Sequence, residues 1–213
     1  MKWLRRLRPR EGNEGSGPGE NHPNAAGVRP SPVEAASPGI AALVDELRQN
    51  TDYSVLDLGQ ASDETLRAYG TFSRWVRFAG LAGGGPAPGS RTELAARLPA
   101  PDHPYDLVFA WDVLDRMPPE ARPRLVERLA DVTAAGALLH VVVAAPERET
   151  IHPLRFTLLE VGRMRYERVG PAGPGWPRLL PAEVERLLEP FEVTRRFNLK
   201  GGLKEYVAAR RAG

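Results

Sequence analysis

The sequence predicts an α/β domain with a mainly parallel β-sheet, and three observations support this fold class. Short apolar runs typical of buried strands alternate along the chain with helical segments, which is the order of elements in a parallel sheet with crossover helices. The chain of 213 residues has the length of one such domain plus tails. The last two predicted strands are joined by the tight connection Lys200-Gly201-Gly202, so the sheet closes with an antiparallel hairpin.

Two segments precede the predicted domain. Residues 1–10 interleave Trp3 and two leucines with basic residues, a pattern that fits weak contact with an anionic membrane surface or an acidic partner, or else a solvated basic tail. Residues 11–37 are rich in Gly, Pro, Asn, Glu and Ser and have almost no large apolar side chains, so we predict a disordered linker. The α/β domain is predicted over residues 38–213.

The first half of the domain alternates helices and strands. Ser37 is a good N-cap and Pro38 suits a first helical turn, and apolar residues then recur at helical spacing. Further elements follow from apolar runs and helix caps. In order, they are a strand over 53–58, a helix over 63–69, a strand over 75–79 and a helix over about 90–98.

The second half contains the most strand-like segments. Tyr105–Trp111 is mostly apolar and follows a proline, as expected of a central parallel strand. A helix is predicted over about 119–133, and the apolar run Ala137–Ala144 predicts a strand buried on both faces. His140 within that run is interpreted as a hydrogen-bonded core histidine. The final elements are a helix over 181–189 and the hairpin strands 191–199 and 203–209.

Residues 146–180 are longer than a simple connection between a strand and a helix. Inserts at this edge of a sheet form a lid or a substrate wall, and the arginines here together with Trp176 suit an anionic or aromatic substrate. The alternative is that residues 156–166 form an extra hairpin with a solvated basic face.

Composition excludes several classes of function. The absence of cysteine excludes disulfides, thiolate metal sites and cysteine nucleophiles, and no other metal-ligand spacing is found. A net charge of +2 gives no basis for a specific nucleic-acid partner. No apolar run approaches the ~20 residues of a membrane span, and the basic start is not followed by the apolar stretch of a signal peptide. We therefore expect a cytoplasmic protein.

The first strand-to-helix turn carries the clearest functional motif. Residues 55–63 (VLDLGQASD) lie where an open α/β sheet binds ligands, and Asp57 stands two positions before a small-residue turn that begins at Gly59. The segment resembles the first motif of class I S-adenosylmethionine (SAM) dependent methyltransferases, which have a Rossmann-like three-layer fold. The resemblance implies SAM as cofactor, contacted by Asp57, Gly59, Gln60 and Ala61.

This motif is degenerate. Ala61 and Asp63 stand where the family usually keeps its second and third glycines. Residues 78–80 (Phe-Ala-Gly) stand where the family has an acidic residue that binds the ribose hydroxyls. A nicotinamide-dinucleotide site is a poorer match, because Gly59 alone does not meet the G-x-G-x-x-G pattern.

A second match lies further along the chain. Residues 102–114 resemble the family's fourth-strand segment, in which an acidic loop residue precedes a strand of the YDLV type. The resemblance implies that Asp112 faces the cofactor and that Asp102 lies near the adenine. For each of them the alternative is a helix cap or a solvated loop acid.

Two functional hypotheses follow. The first is a SAM-dependent methyltransferase acting on an unidentified, small-molecule acceptor, with His152 or Asp112 as candidates for proton removal and no assigned catalytic residue. The second is a methyltransferase-like domain that has lost catalysis and serves as a binding or scaffolding module. The retained Asp57 and Gly59 favour the first; the altered loop and the missing ribose acid favour the second.

Overall fold

The structure of the protein is a computed structural model, in which a defined part of the chain is described. The described residues are 31–46, 52–82, 93, 96–147, 151–172 and 176–212. The predicted basic segment 1–10, residues 11–30 of the predicted linker and most of the helix predicted over 90–98 lie outside the described residues. None of the described helices has the length and apolarity that a membrane-spanning helix needs.

The described part of the chain contains the following regular elements. The strands are β1 (Val33–Ala36), β2 (Tyr53–Asp57), β3 (Ser73–Phe78), β4 (Tyr105–Trp111), β5 (Thr133–Ala144), β6 (Leu154–Glu160), β7 (Arg163–Arg168), β8 (Phe191–Leu199) and β9 (Leu203–Arg210). The helices are α1 (Pro38–Glu46), α2 (Asp63–Tyr69), α3 (Val113–Arg116), α4 (Arg122–Val132) and α5 (Pro181–Leu187).

A six-stranded sheet with the order β3-β2-β4-β5-β9-β8 forms the centre of the domain. The four strands from β3 to β5 run parallel, whereas β9 is antiparallel to both of its neighbours. Residues 137–144 of β5 are all buried, so both faces of this central strand are covered, as a three-layer arrangement requires. The predicted fold class, a mainly parallel sheet closed by an antiparallel hairpin, is confirmed.

The insert at 146–180 contains a second, smaller sheet. Its strands β6 and β7 form an antiparallel hairpin, and β1 adds to β7 to give the order β1-β7-β6. Of the alternatives left open by the sequence, the structure has the extra hairpin. Three of its arginines form ion pairs: Arg165 binds both Glu34 and Glu64, Arg163 binds Glu34 and Glu160, and Arg155 binds Glu167.

Several predicted boundaries are corrected. Val33–Ala36 lies within the predicted disordered linker but forms β1, because pairing with β7 supplies hydrogen bonds that a local sequence pattern does not reveal. The helix predicted from residue 119 begins at Arg122, after a 3-10 turn over Pro119–Ala121. Strand β5 begins at Thr133 rather than at Ala137, and the short helix α3 was not predicted.

A buried carboxylate joins the N-terminal elements to the central sheet. Glu205 of β9 is fully buried and accepts hydrogen bonds from Ser37 Oγ, from Gly39 N (2.8 Å) and from His140 Nε2 (3.0 Å). Burial raises the pKa of Glu205, but the hydrogen bonds and the charge of His140 outweigh it and hold the pKa below its usual value. His140 is thus the hydrogen-bonded core histidine that the sequence predicted.

We expect Glu205→Gln to lower the free energy of unfolding by about 2–4 kcal/mol. Glutamine has one acceptor oxygen in place of two, so at least one of the buried donors around it loses its partner. The measurement is urea unfolding at neutral pH, with Glu192→Gln on the exposed part of β8 as the control. Equal losses in the two variants would contradict the role given to Glu205.

Candidate functional site

The carboxyl ends of β2 and β4 form the candidate site. In chain order β3 follows β2, yet β3 and β4 lie on opposite sides of β2, so the strand order reverses between β2 and β4. Ligands of open α/β sheets bind outside the carboxyl ends of the strands at such a reversal. Asp57 ends β2 and Trp111 ends β4, which places both side chains there.

The Asp57 carboxylate is occupied by donors from the chain itself. Its Oδ1 accepts from Gly59 N and from Trp111 Nε1, each at 2.6 Å, and its Oδ2 accepts from Tyr69 OH at 2.7 Å. Only 1% of Asp57 is exposed. Burial raises the pKa of Asp57 to about 6, and the three hydrogen bonds offset part of that rise.

Trp111 fills the space above this carboxylate. The side chain is buried and stacks on Phe156 of β6, with ring centroids 5.1 Å apart and an interplanar angle of 10°. Phe109 stacks on it at 5.6 Å, and His140 meets it edge-on at 5.5 Å. The backbone of Trp111 has φ = 49°, a left-handed conformation that costs a bulky residue about 1–3 kcal/mol and persists where the surroundings hold it.

Gly59 is packed directly against this indole. A Cβ added at Gly59 would lie 2.8 Å from Asp57 Oδ1, closer than Cβ atoms approach other atoms, and 3.0 Å from Trp111 Nε1, which is a tight contact. Gly59 therefore has a packing role that needs no cofactor, because its missing side chain leaves room for the tryptophan.

Strand β6 covers the same end of the central sheet. Its Leu158 N donates to Thr65 Oγ1 in the first turn of α2 at 3.2 Å, and its Leu154 N donates to Asp112 Oδ2 at 3.0 Å. Between these two contacts Phe156 lies on Trp111. The insert thus closes over the point at which the strand order reverses.

The structure separates the predicted cofactor residues into two groups. Asp57, Gly59 and Asp112 are buried at the strand ends, where Asp57 and Gly59 bind each other and Asp112 binds the backbone of β6. The side chains of Gln60, Ala61 and Asp102 are exposed. Cofactor contact by any of these six residues stays a prediction.

Sequence reasoning missed the aromatic residues that surround Asp57. Trp111 was assigned to the end of a strand, Tyr69 to the end of a helix and Phe156 to the insert, without a common role. The one available signal was a large aromatic residue at the carboxyl end of β4, next to the position from which the resemblance implied cofactor contact. His152, a candidate for proton removal, lies partly buried just before β6.

Comparison with known proteins finds similarity among solved structures. No family model matches the chain, and no curated protein matches it. The 1,6-didemethyltoxoflavin-N1-methyltransferase of Burkholderia thailandensis, solved with S-adenosylhomocysteine, is 16% identical, with 82% of this chain and 77% of that chain covered and a TM-score of 0.49. The N-methyltransferase NodS of Bradyrhizobium japonicum WM9 is 11% identical, with 81% and 86% covered and a TM-score of 0.49.

PhzM, a pyocyanin biosynthetic protein, is 17% identical with a TM-score of 0.47. The aligned region covers 81% of this chain but only 54% of that chain. SAM-dependent methyltransferases are thus among the structures that the chain resembles, as its sequence motifs predicted. With identities this low and TM-scores below 0.5, nothing about cofactor, substrate or activity follows from them. The methyltransferase-like, Rossmann-like fold rests on the sheet order of the chain itself.

Replacing Asp57 with asparagine should flatten the dependence of stability on pH. The folded-state pKa of Asp57 is about 6, above its usual value of 3.8. Between these two pH values the folded protein binds more protons than the unfolded protein, so the free energy of unfolding falls as pH rises. In the wild type the free energy of unfolding falls by up to about 3 kcal/mol over this range. Asparagine cannot ionise, so Asp57→Asn lacks this contribution. Urea unfolding between about pH 4 and 7 should show the difference, with Asp102→Asn at an exposed position as the control. Parallel curves for the wild type and Asp57→Asn would contradict the network described above.

Gly59→Ala should lower the free energy of unfolding by about 1–3 kcal/mol, because the added methyl group meets Asp57 and Trp111 in a packed interior. The matched control is Gly70→Ala, where a Cβ would come no closer than 3.4 Å to any neighbour and φ is −58°. Thermal unfolding of both variants measures the difference. If the two variants are equally stable, the tight contact between Gly59 and the indole is not present in solution.

Proposed function

We propose that this chain is a methyltransferase-like domain that does not transfer methyl groups and acts as a binding or scaffolding module. One observation carries the proposal: the indole of Trp111 lies against Gly59 and on Asp57, in the place that the sequence resemblance assigns to the cofactor. The residues present there do not fit a bound SAM, because the space is taken by the protein's own side chain.

The hydrogen bonding of the site supports the same conclusion. A carboxylate that holds a cofactor needs acceptor capacity directed at the ligand, whereas both oxygens of Asp57 already accept hydrogen bonds from donors of the chain itself. Its near-complete burial leaves no solvent-facing side from which a ligand reaches it.

The hydrogen bonds of the segment after β3 also support a domain that does not bind SAM. In this segment Ala79 N donates to Asp57 O at 2.8 Å, Gly80 N to Gly59 O at 3.0 Å, and Ala82 N to Leu58 O at 2.6 Å. These bonds bring the backbone of residues 79–82 against the first turn, on the side where the family's ribose-binding acid would stand. The site is therefore bounded by backbone there and by Trp111 and β6 elsewhere.

The second candidate function is SAM-dependent methyl transfer to a small molecule. It is favoured by the placement of Asp57 and Gly59 at the reversal of strand order, where the fold puts a ligand. When bound, SAM would supply an electrophilic methyl group. To admit SAM, Trp111 and the β6–β7 hairpin would have to move together.

The basic segment 1–10, outside the described residues, stays a predicted tether to an anionic membrane surface or an acidic partner.

Calorimetric titration with SAM and with its demethylated product S-adenosylhomocysteine separates the two functions. We expect no saturable heat at millimolar ligand, because opening the site would break the stack and the hydrogen bonds of Trp111. An active SAM-dependent methyltransferase in the same buffer serves as the positive control. Saturable binding that is abolished by Gly59→Val but retained by Gly70→Ala would refute the exclusion of SAM by Trp111 and favour the second function, which a search for the methyl acceptor would then test.

A further inference from the structure

A cleft between α4 and α5 is separate from the network around Asp57. Its volume is about 440 Å³, within the range of small-molecule sites, and it shares no lining residue with that network. Its walls combine apolar and charged side chains, and the apolar part is formed by Val126 of α4, Leu179 and Leu187, together with four prolines. Apolar side chains of this kind suit the hydrocarbon part of a ligand.

Two guanidinium groups lie in the deeper part of the cleft. Arg122 is 4% exposed and is held in place by the backbone, with Nε donating to Met117 O at 3.2 Å and Nη2 to Pro177 O at 3.1 Å. Arg178 is different: its Nη1 is buried and has no hydrogen-bond acceptor within the described part of the chain. A buried donor without an acceptor costs about 1–3 kcal/mol, so Arg178 offers a bond that a ligand can satisfy.

Three arginines and three glutamates line the cleft, and they differ in burial. Arg122 and Arg178 both interact electrostatically with the buried carboxyl group of Asp115. Burial raises the pKa of Asp115 to about 7, so this carboxyl group is only partly ionised near neutral pH. Glu127 and Glu189 line the cleft at its exposed rim, and Glu183 Oε2 accepts from Leu180 N at 2.8 Å. The more buried charges of the lining are therefore those of Arg122 and Arg178, whereas the exposed rim carries the three glutamates and Arg186.

We propose that this cleft binds a small amphipathic anion, with its carboxylate on Arg178 and its apolar body along Val126 and Leu187. A carboxylate accepts charge-assisted hydrogen bonds from a guanidinium, which are among the stronger bonds available to a ligand in a partly buried site. The proposal does not rest on the absence of methyl transfer, because the two sites have no residue in common.

The test is calorimetric titration of the full chain with octanoate, octanol and acetate. Octanoate combines the charge with the apolar body, octanol lacks the charge and acetate lacks the body. We expect saturable binding of octanoate, with the other two at least about tenfold weaker. Absence of saturable octanoate binding at millimolar concentration, or equal affinity for octanol, would overturn the proposal.

Substitutions in and outside the cleft show whether octanoate binds there. Arg178→Gln should weaken octanoate at least about tenfold, whereas Arg168→Gln, at the exposed end of β7, should leave it unchanged. Equal affinity of Arg178→Gln and wild type overturns the proposal. If circular dichroism shows that Arg178→Gln does not fold, Glu127→Lys at the exposed rim carries the test: octanoate then binds several-fold more tightly, and an unchanged affinity overturns the proposal.

Discussion

The buried carboxylate of Asp57 is the constraint on which the candidate site depends. A carboxylate with 1% exposure is tolerated only with a full set of donors, and the chain supplies them from three elements: the turn after β2, helix α2 and the end of β4. The donor from β4 is an indole, which brings a large aromatic surface with it. Phe156 packs on that surface, so the hairpin of the insert is held over the sheet by a chain of contacts that begins at Asp57.

A second buried carboxylate performs the corresponding task further along the same face of the sheet, where His140 contacts both Trp111 and Glu205. Glu205 fixes the start of α1 to β9, and Ser37 N also donates to Gly162 O in the turn between β6 and β7. Strand β1, directly before Ser37, pairs with β7. The N-terminal elements, the insert and the closing hairpin are thus joined at one place, and Tyr166 OH strengthens the junction by donating to Lys200 O.

Buried polar groups of the described residues differ in how far their hydrogen-bonding capacity is met. Asp57 and Glu205 have complete sets of internal donors, and the places they occupy are closed. Arg178 Nη1 and Asp115 Oδ1 are buried without a hydrogen-bond partner in the described part of the chain, and they lie on the side of the sheet where α4 and α5 leave a cleft. Among the described residues, His140 Nδ1 is also buried without a hydrogen-bond partner, beside Trp111 and Glu205, so unmet hydrogen-bonding capacity occurs near the candidate site as well as near the cleft.

The alternation of elements, the bounds of β4 and the closing hairpin could be predicted from the amino-acid sequence, because apolar periodicity, caps and glycine turns act over a few residues. The sequence also identified Asp57 and Gly59 as the centre of the first turn. The contacts that those two residues make depend on the packing of distant segments. The Asp57–Trp111 bond spans 54 positions and β1 pairs with a strand more than a hundred positions away, and no local pattern specifies which distant side chain meets a buried carboxylate. The same motif can hold a ligand or a tryptophan, and packing between distant segments decides which.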